Sequence, residues 1–115
     1  YPVNLSLMPL AAAIGAGNHV MLKPSEHTPR TSDLLRALLT EVFPEDRVAT
    51  VLGGADVAAA FAALPFDHLF FTGSTSVGRM VMRAAAENLV PVTLELGGKS
   101  PAIVAPDYPV KTAVE

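Results

Sequence analysis

Asp67-His68-Leu69-Phe70-Phe71-Thr72-Gly73-Ser74-Thr75-Ser76-Val77-Gly78 reads as an apolar strand, Asp67 to Thr72, that passes through a glycine straight into a helix. Val77, Met80, Val81, Ala84 and Ala85 mark one face of that helix at the helical period. The same alternation continues on both sides. Upstream, Leu5 to Ala16 reads as a helix rich in Ala and Leu, ended by Gly15 and Gly17, and Val20 to Lys23 is a short strand stopped by Pro24. Thr28-Pro29 supplies an N-cap and a proline at the first helical position. Leu34, Leu35, Leu38 and Val42 then stripe one face of the helix that follows. Val48 to Leu52 is the next strand, turned by Gly53-Gly54 into a helix striped by Val57, Phe61 and Leu64. Downstream, Val90 to Leu96 returns as a strand, and Ala102-Ile103-Val104 offers the start of another before Pro106 interrupts it. Strands separated by helices of roughly 10–15 residues indicate βαβ units and a parallel sheet. Such units are nearly always right-handed, so helices are expected on both faces. The expected fold is α/β, a mostly parallel open sheet in one domain.

Composition narrows the function. The 115 residues are half hydrophobic and carry a net charge of -3, with eight Lys and Arg scattered along the chain. Nothing in that balance draws the chain to nucleic acid or to an anionic membrane. Cysteine is absent, which excludes disulfides and cysteine metal sites and leaves the compartment open. Residues 1–22 contain no Asp, Glu, Lys or Arg, yet Pro2, Asn4, Pro9, Gly15, Gly17, Asn18 and His19 break them into helix, turn and strand rather than a membrane span. No basic start with a cleavage site suggests a signal peptide, and a cytoplasmic protein is expected. His19, His27 and His68 show no metal-ligand spacing, so no metal site is assigned.

Three stretches carry chemistry. In Thr93-Leu94-Glu95-Leu96-Gly97-Gly98-Lys99-Ser100-Pro101 a single carboxylate alternates with apolar neighbours before two glycines. A poorly hydrated crevice there would raise its pKa and make it a base near neutrality; the plain alternative is a solvent-facing Glu at a strand end. The turn Gly73-Ser74-Thr75-Ser76-Val77-Gly78 opens a helix without an acidic residue in its first turn. Free N–H groups and hydroxyls there suit an anion. The alternative, favoured by the turn alone, is a helix whose serines satisfy only its own N–H groups. Lys23 and Glu26 flank Pro24 at a strand end, where open parallel sheets bind ligands. A carboxylate there can accept from ribose hydroxyls; the alternative is a surface ion pair worth little.

Together these stretches resemble the aldehyde dehydrogenase superfamily in three motifs that occur in the family's order. His19-Val20-Met21-Leu22-Lys23-Pro24-Ser25-Glu26 is similar to its adenosine-ribose segment, Phe70 to Gly78 to its pyrophosphate turn, and Thr93 to Pro101 to its general-base motif. The opening Tyr1-Pro2-Val3-Asn4-Leu5 resembles, less decisively, members acting on coniferyl, aromatic or medium-chain aldehydes.

The resemblance implies most of an NAD-binding domain, ending at the start of a catalytic domain, from an enzyme that oxidises an aldehyde to the acid. It implies cofactor contact through Lys23, Glu26, Gly53, Gly73, Ser74, Val77, Gly78 and Leu96, with Gly53 admitting the adenine. Glu26 would repel a 2′-phosphate, favouring NAD over NADP, and Lys23 partly offsets this. The implied mechanism is attack by a cysteine thiolate on the aldehyde, hydride transfer to nicotinamide, and hydrolysis of the thioester with Glu95 as base. Neither that cysteine nor the family's oxyanion-stabilising Asn, which directly precedes an aromatic-Pro pair, lies in this sequence. Asn4 falls at a different position and reads as structural. A fragment inactive by itself is therefore expected, from a parent that is a homodimer or homotetramer. A nucleotide-binding module without chemistry and a structural relative are the alternatives from other classes; a coenzyme A-dependent relative fits less well, because Glu95 serves water.

Overall fold

The computed structural model describes residues 1–114. Helix α1 (Pro2–Gly15), strand β1 (Val20–Leu22), α2 (Pro29–Val42) and β2 (Val48–Thr50) form one half. Helix α3 (Ala55–Ala62), strand β3 (Leu69–Gly73), α4 (Thr75–Ala86) and β4 (Val92–Leu96) form the other, followed by a short α5 (Val110–Val114). β1 pairs with β2 in parallel, Val20 opposite Val48, and β3 pairs with β4 in parallel, Leu69 opposite Val92. The α/β architecture with parallel strands is as expected. Among the described residues, however, the strands make two two-stranded ladders and not one continuous sheet.

Each half owns a small core. Leu10 of α1, Leu39 of α2 and Val48 of β2 are buried together, flanked by Leu7, Ile14, Val20, Leu22 and Phe43. In the second half Ala62, Leu69, Val81, Ala85 and Val90 are buried against Phe66, Phe71, Ala84, Val92 and Leu94. Fully burying a side chain of the Val or Leu type contributes roughly 1.5–3 kcal/mol, and each core holds three of them, Leu10, Leu39 and Val48 in the first and Leu69, Val81 and Val90 in the second. The Cα radius of gyration, 17.4 Å, exceeds the roughly 13 Å of a compact 100-residue domain. Residues 95–114 are exposed throughout and extend the molecule.

Local chemistry sets the ends of α1. Ser6 Oγ donates to the Pro2 carbonyl at 2.7 Å. Pro9 inside the helix has no N–H to offer the Leu5 carbonyl. Gly17, at φ +89°, takes the left-handed conformation that ends the helix, and Asn18 returns its N–H to the Ala13 carbonyl.

Several expected details change. The buried face of α2 is Ser32, Leu35 and Leu39, whereas Leu34, Leu38 and Val42 are exposed. Ser32 stays inside because its hydroxyl lies 3.0 Å from both the Ser25 and the Thr28 carbonyls. In α4 the buried line is Gly78, Val81 and Ala85, and Met80 faces outward. Thr28 precedes α2 as expected but does not cap it, since its hydroxyl points back to the Ser25 carbonyl at 3.4 Å. Residues 102–104 are not a strand but an exposed irregular segment, and α5 was not anticipated.

Candidate active site and nucleotide edge

Parallel pairing puts the residues that follow β1 and β2 at one end of the first ladder, and those that follow β3 and β4 at one end of the second. Carboxyl ends of parallel strands are where such folds bind ligands. After β1, the Lys23 ammonium lies 3.1 Å from Glu26 Oε2 and donates to the Pro24 carbonyl at 3.2 Å. The backbone N–H of Glu26 and the adjacent Lys23 ammonium hold the Glu26 carboxyl below its usual range. Glu26 and Gly53 line one recess of about 220 Å³ together with Pro24, Leu52, Ser32 and Asp33. Gly53 lies against Val57, so a Cβ on it would overlap that side chain. Asp33 is a further acid in this recess that the sequence reading missed; its one ion pair among the described residues is exposed and loose, 3.8 Å to Arg36.

The β3–α4 turn behaves first as a capped helix. Ser74 Oγ accepts from the Val77 N–H at 3.3 Å and lies 3.0 Å from Ser76 Oγ, and the Gly78 N–H reaches the Ser74 carbonyl at 2.9 Å. The N–H groups of Thr75 and Ser76 make no hydrogen bond among the described residues, and no acid stands in the first turn. Among the described residues the Val77 and Gly78 N–H groups are satisfied internally, and those of Thr75 and Ser76 are not. Gly73 is filled from behind, since a Cβ there would lie 2.5 Å from the Phe71 ring. Gly78 brings α4 against β4, and a Cβ there would meet Leu96 Cδ2 at 2.7 Å.

Glu95 stands opposite Thr72 across the β3–β4 ladder. Alternation sends Leu69, Phe71, Val92 and Leu94 to the core, and Phe70, Thr72 and Glu95 to the other face. That face and α1 enclose an open cavity of about 780 Å³. The ladder contributes Phe70, Thr72, Gly73, Glu95, Leu96 and Gly97; α1 and its N-cap contribute Tyr1, Asn4, Leu5, Met8 and Pro9. Glu95 is exposed within it, as in the solvent-facing alternative of the sequence reading, and not shut into a poorly hydrated crevice. Glu95, Gly73 and Leu96 thus share one cavity, Glu26 and Gly53 share the other, and the two have no lining residue in common. Asn4, read as structural, has no side-chain hydrogen bond among the described residues and faces the Glu95 cavity. No group of three or more His, Cys, Asp or Glu suited to a metal occurs among the described residues, and no helix there is long and apolar enough to cross a membrane.

The comparisons with known proteins agree with this fold. The family model for the aldehyde dehydrogenase family matches residues 1–115. The chain is 65% identical over 115 residues to a protein of Pseudomonas aeruginosa named probable coniferyl aldehyde dehydrogenase, covering 100% of this chain and 24% of that one. Among solved structures, the substrate-bound state of Staphylococcus aureus AldH superposes with a TM-score of 0.86 at 48% identity, over 88% of this chain and 22% of that one. An NAD+ complex of an aldehyde dehydrogenase from Bacillus cereus superposes at 0.82 with 38% identity, over 99% of this chain and 24% of that one. The chain spans about a quarter of the length of these relatives. On a match that runs from its first residue to its last, the chain belongs to the aldehyde dehydrogenase family.

Proposed function

We propose that this chain is most of the NAD-binding domain, with the general-base strand, of an enzyme that oxidises an aldehyde to its carboxylic acid using NAD(P). The observation that carries the reading is Glu95, set beside Thr72 on the open face of the β3–β4 ladder and facing a cavity walled by α1. The 65% identity to a probable coniferyl aldehyde dehydrogenase and the apolar wall of Leu5, Met8, Pro9 and Phe70 favour an aromatic or medium-chain aldehyde such as coniferyl aldehyde.

The nucleotide edge fits an adenine dinucleotide. Glu26 accepts from ribose hydroxyls in the recess that Gly53 lines. Thr75 and Ser76 N–H groups, with the Ser74 hydroxyl, take the pyrophosphate at a helix start free of acidic residues. Val77, Gly78 and Leu96 bring helix and strand close enough to pack under it. Glu26 and Asp33 both stand in the ribose recess and disfavour a 2′-phosphate, while Lys23, 3.1 Å from Glu26, offsets part of that, so NAD is preferred moderately and NADP is tolerated. A bound nicotinamide supplies the hydride acceptor. Glu95 takes a proton from water as its oxygen attacks a thioester formed on a cysteine outside this chain; the C–S bond breaks and the thiolate leaves. By itself the chain turns over no aldehyde.

Glu95→Gln in the full-length parent tests this. The change keeps shape and removes the base, and steady-state turnover should fall by roughly two to four powers of ten. Cofactor affinity should hold, because the ribose and phosphate contacts lie elsewhere. A rapid NADH burst followed by collapsed turnover assigns Glu95 to hydrolysis. A variant with full turnover across neutral pH returns Glu95 to a structural role and the chain to a nucleotide-binding module.

A further inference from the structure

Ser32 is the one buried polar residue among the described residues, and helix α2 itself has no need of a hydroxyl there. Alanine at this position would be nearly as large and a better helix former. The Thr28 carbonyl, one of the two that lie 3.0 Å from the hydroxyl, already receives the Ser32 backbone N–H at 3.0 Å. What the hydroxyl alone contributes is its bond to the Ser25 carbonyl, seven residues back and outside the helix. Two other donors reach that carbonyl, the Thr28 N–H at 3.3 Å and the Thr28 hydroxyl at 3.4 Å, and both are longer.

The Ser25 carbonyl matters because of the group at the other end of its peptide. That unit is planar and its N–H belongs to Glu26, so fixing the carbonyl fixes the direction of the N–H. The Glu26 carboxylate is held first by this N–H and then by Lys23. The preceding carbonyl, that of Pro24, accepts from the Lys23 ammonium at 3.2 Å. Two consecutive peptides are thereby pinned, one from the end of β1 and one from inside α2. Ser25, Glu26 and Ser32 line the same recess.

We propose that Ser32 is a positioning residue for the nucleotide: its hydroxyl holds the Ser25–Glu26 peptide in the orientation that aims the Glu26 carboxylate at the adenosine ribose. This rests on the reading of the recess as the ribose site. Ser32 acts through Glu26, and its loss frees the aim of one carboxylate rather than the helix. Without the hydroxyl, the backbone N–H of residue 32 still bonds the Thr28 carbonyl, and Leu35 and Leu39 still anchor α2. The effect is therefore confined to the part of the ligand that Glu26 reads.

The test uses the full-length parent and measures Kd by calorimetry for NAD and for its analogue lacking the adenosine ribose hydroxyls. The wild type should bind NAD more tightly than the analogue. Ser32→Ala should shrink that preference by roughly three- to tenfold, the worth of one net hydrogen bond, by weakening NAD and sparing the analogue. A general loss of stability acts on both ligands alike and cancels in the ratio. Glu26→Ala should shrink the preference as well, and adding Ser32→Ala to it should shrink it no further, since the carboxylate that Ser32 aims is gone. An unchanged ratio in Ser32→Ala, an equal weakening of both ligands, or full additivity in the double variant overturns the positioning role. Glu26→Ala alone separates the two readings. If it keeps the wild-type ratio, the recess is not the ribose site and both readings fall; if it lowers the ratio while Ser32→Ala does not, only the role of Ser32 is wrong.

Discussion

The two halves of the molecule share one plan and use it oppositely. Each runs a short strand into a turn, a helix and a parallel return strand. In the β1–β2 half the charged groups after β1 satisfy one another: Lys23 and Glu26 are 3.1 Å apart, and Lys23 also holds the Pro24 carbonyl. In the β3–β4 half they are left open: Thr75 and Ser76 keep free N–H groups, and Glu95 has no hydrogen bond or ion pair among the described residues. A ligand entering the first half exchanges contacts with a pre-formed pair, which tunes selectivity. One entering the second half meets unpaired donors and a free carboxylate, which suits binding an anion and moving a proton. The helix ends differ too. Gly17 ends α1 in the left-handed conformation at φ +89°, and Leu89 does the same job after α4 at φ +55° while 90% exposed.

The largest effects should come from the glycines that close the two turns, measured by chemical denaturation of the full-length protein. Gly53→Ala would place its Cβ against Val57 at the Cβ itself, 2.6 Å away, where a β-branched residue in a helix cannot rotate aside. Gly73→Ala would meet the Phe71 ring tip at 2.5 Å. Overpacking costs about 1–3 kcal/mol, with Gly53→Ala near the upper end and Gly73→Ala near the lower. The reverse order would mean that the first turn is the softer one.

Ser74→Ala should cost about 1 kcal/mol of stability through the lost cap on Val77 and also weaken binding of the dinucleotide, measured by calorimetry. Thr28→Ala at the start of α2 should do neither, because Thr28 makes no cap. Stability lost with dinucleotide affinity intact would confine Ser74 to capping and break the contrast between the halves. The helix stops give a matched pair. Leu89→Gly should stabilise by about 1 kcal/mol, since a left-handed leucine carries a steric penalty of about 1–2 kcal/mol. Gly17→Leu should destabilise by a similar amount. If Leu89→Gly fails to stabilise, the exposed leucine is covered in the full-length protein by something that values it.

What the sequence revealed follows from which signals are one-dimensional. Gly73-Ser74 was legible as a strand-to-helix turn because the chemistry of the turn lies in adjacent residues. The inward face of α2 was legible only in part. The stripe Leu34, Leu35, Leu38 and Val42 shares Leu35 alone with the buried line Ser32-Leu35-Leu39, and hydrophobicity favours apolar residues over a serine. The structure buries the line containing a serine, because the Ser25 and Thr28 carbonyls satisfy its hydroxyl. In α4 the stripe read from the sequence held at Val81, Ala84 and Ala85, which meet the core, and missed only Gly78, too small to signal burial yet buried because it lets helix and strand approach. For Glu95 the sequence left a crevice and a solvent-facing strand end both open, since alternation with Leu94 and Leu96 gives opposite faces and not which face is covered; the structure exposes it.

The smallest predicted effects concern Glu26. In the full-length enzyme, Glu26→Gln should raise kcat/KM with NADP relative to NAD, because the carboxylate that repels a 2′-phosphate is gone while Asp33 still lines the recess. Asp33 keeps the shift partial, a few-fold and short of a reversal, given roughly 1 kcal/mol for one exposed charge. An unchanged ratio would mean that Glu26 does not face the ribose. The same carboxyl supplies a pH signature. Its folded pKa is lowered from 4.5, first by its own backbone N–H and then by Lys23. A depressed acid pKa stabilises the fold above the unfolded value and loses that contribution as pH falls through the folded one. Wild type should therefore lead Glu26→Gln in stability at neutral pH, and the lead should vanish in acid below the ordinary carboxyl range. Because Glu26 is 39% exposed at its side chain, the lead should be small and should shrink in high salt. A lead that persists in acid would show that shape, and not the charge held by Lys23, keeps Glu26 where it is.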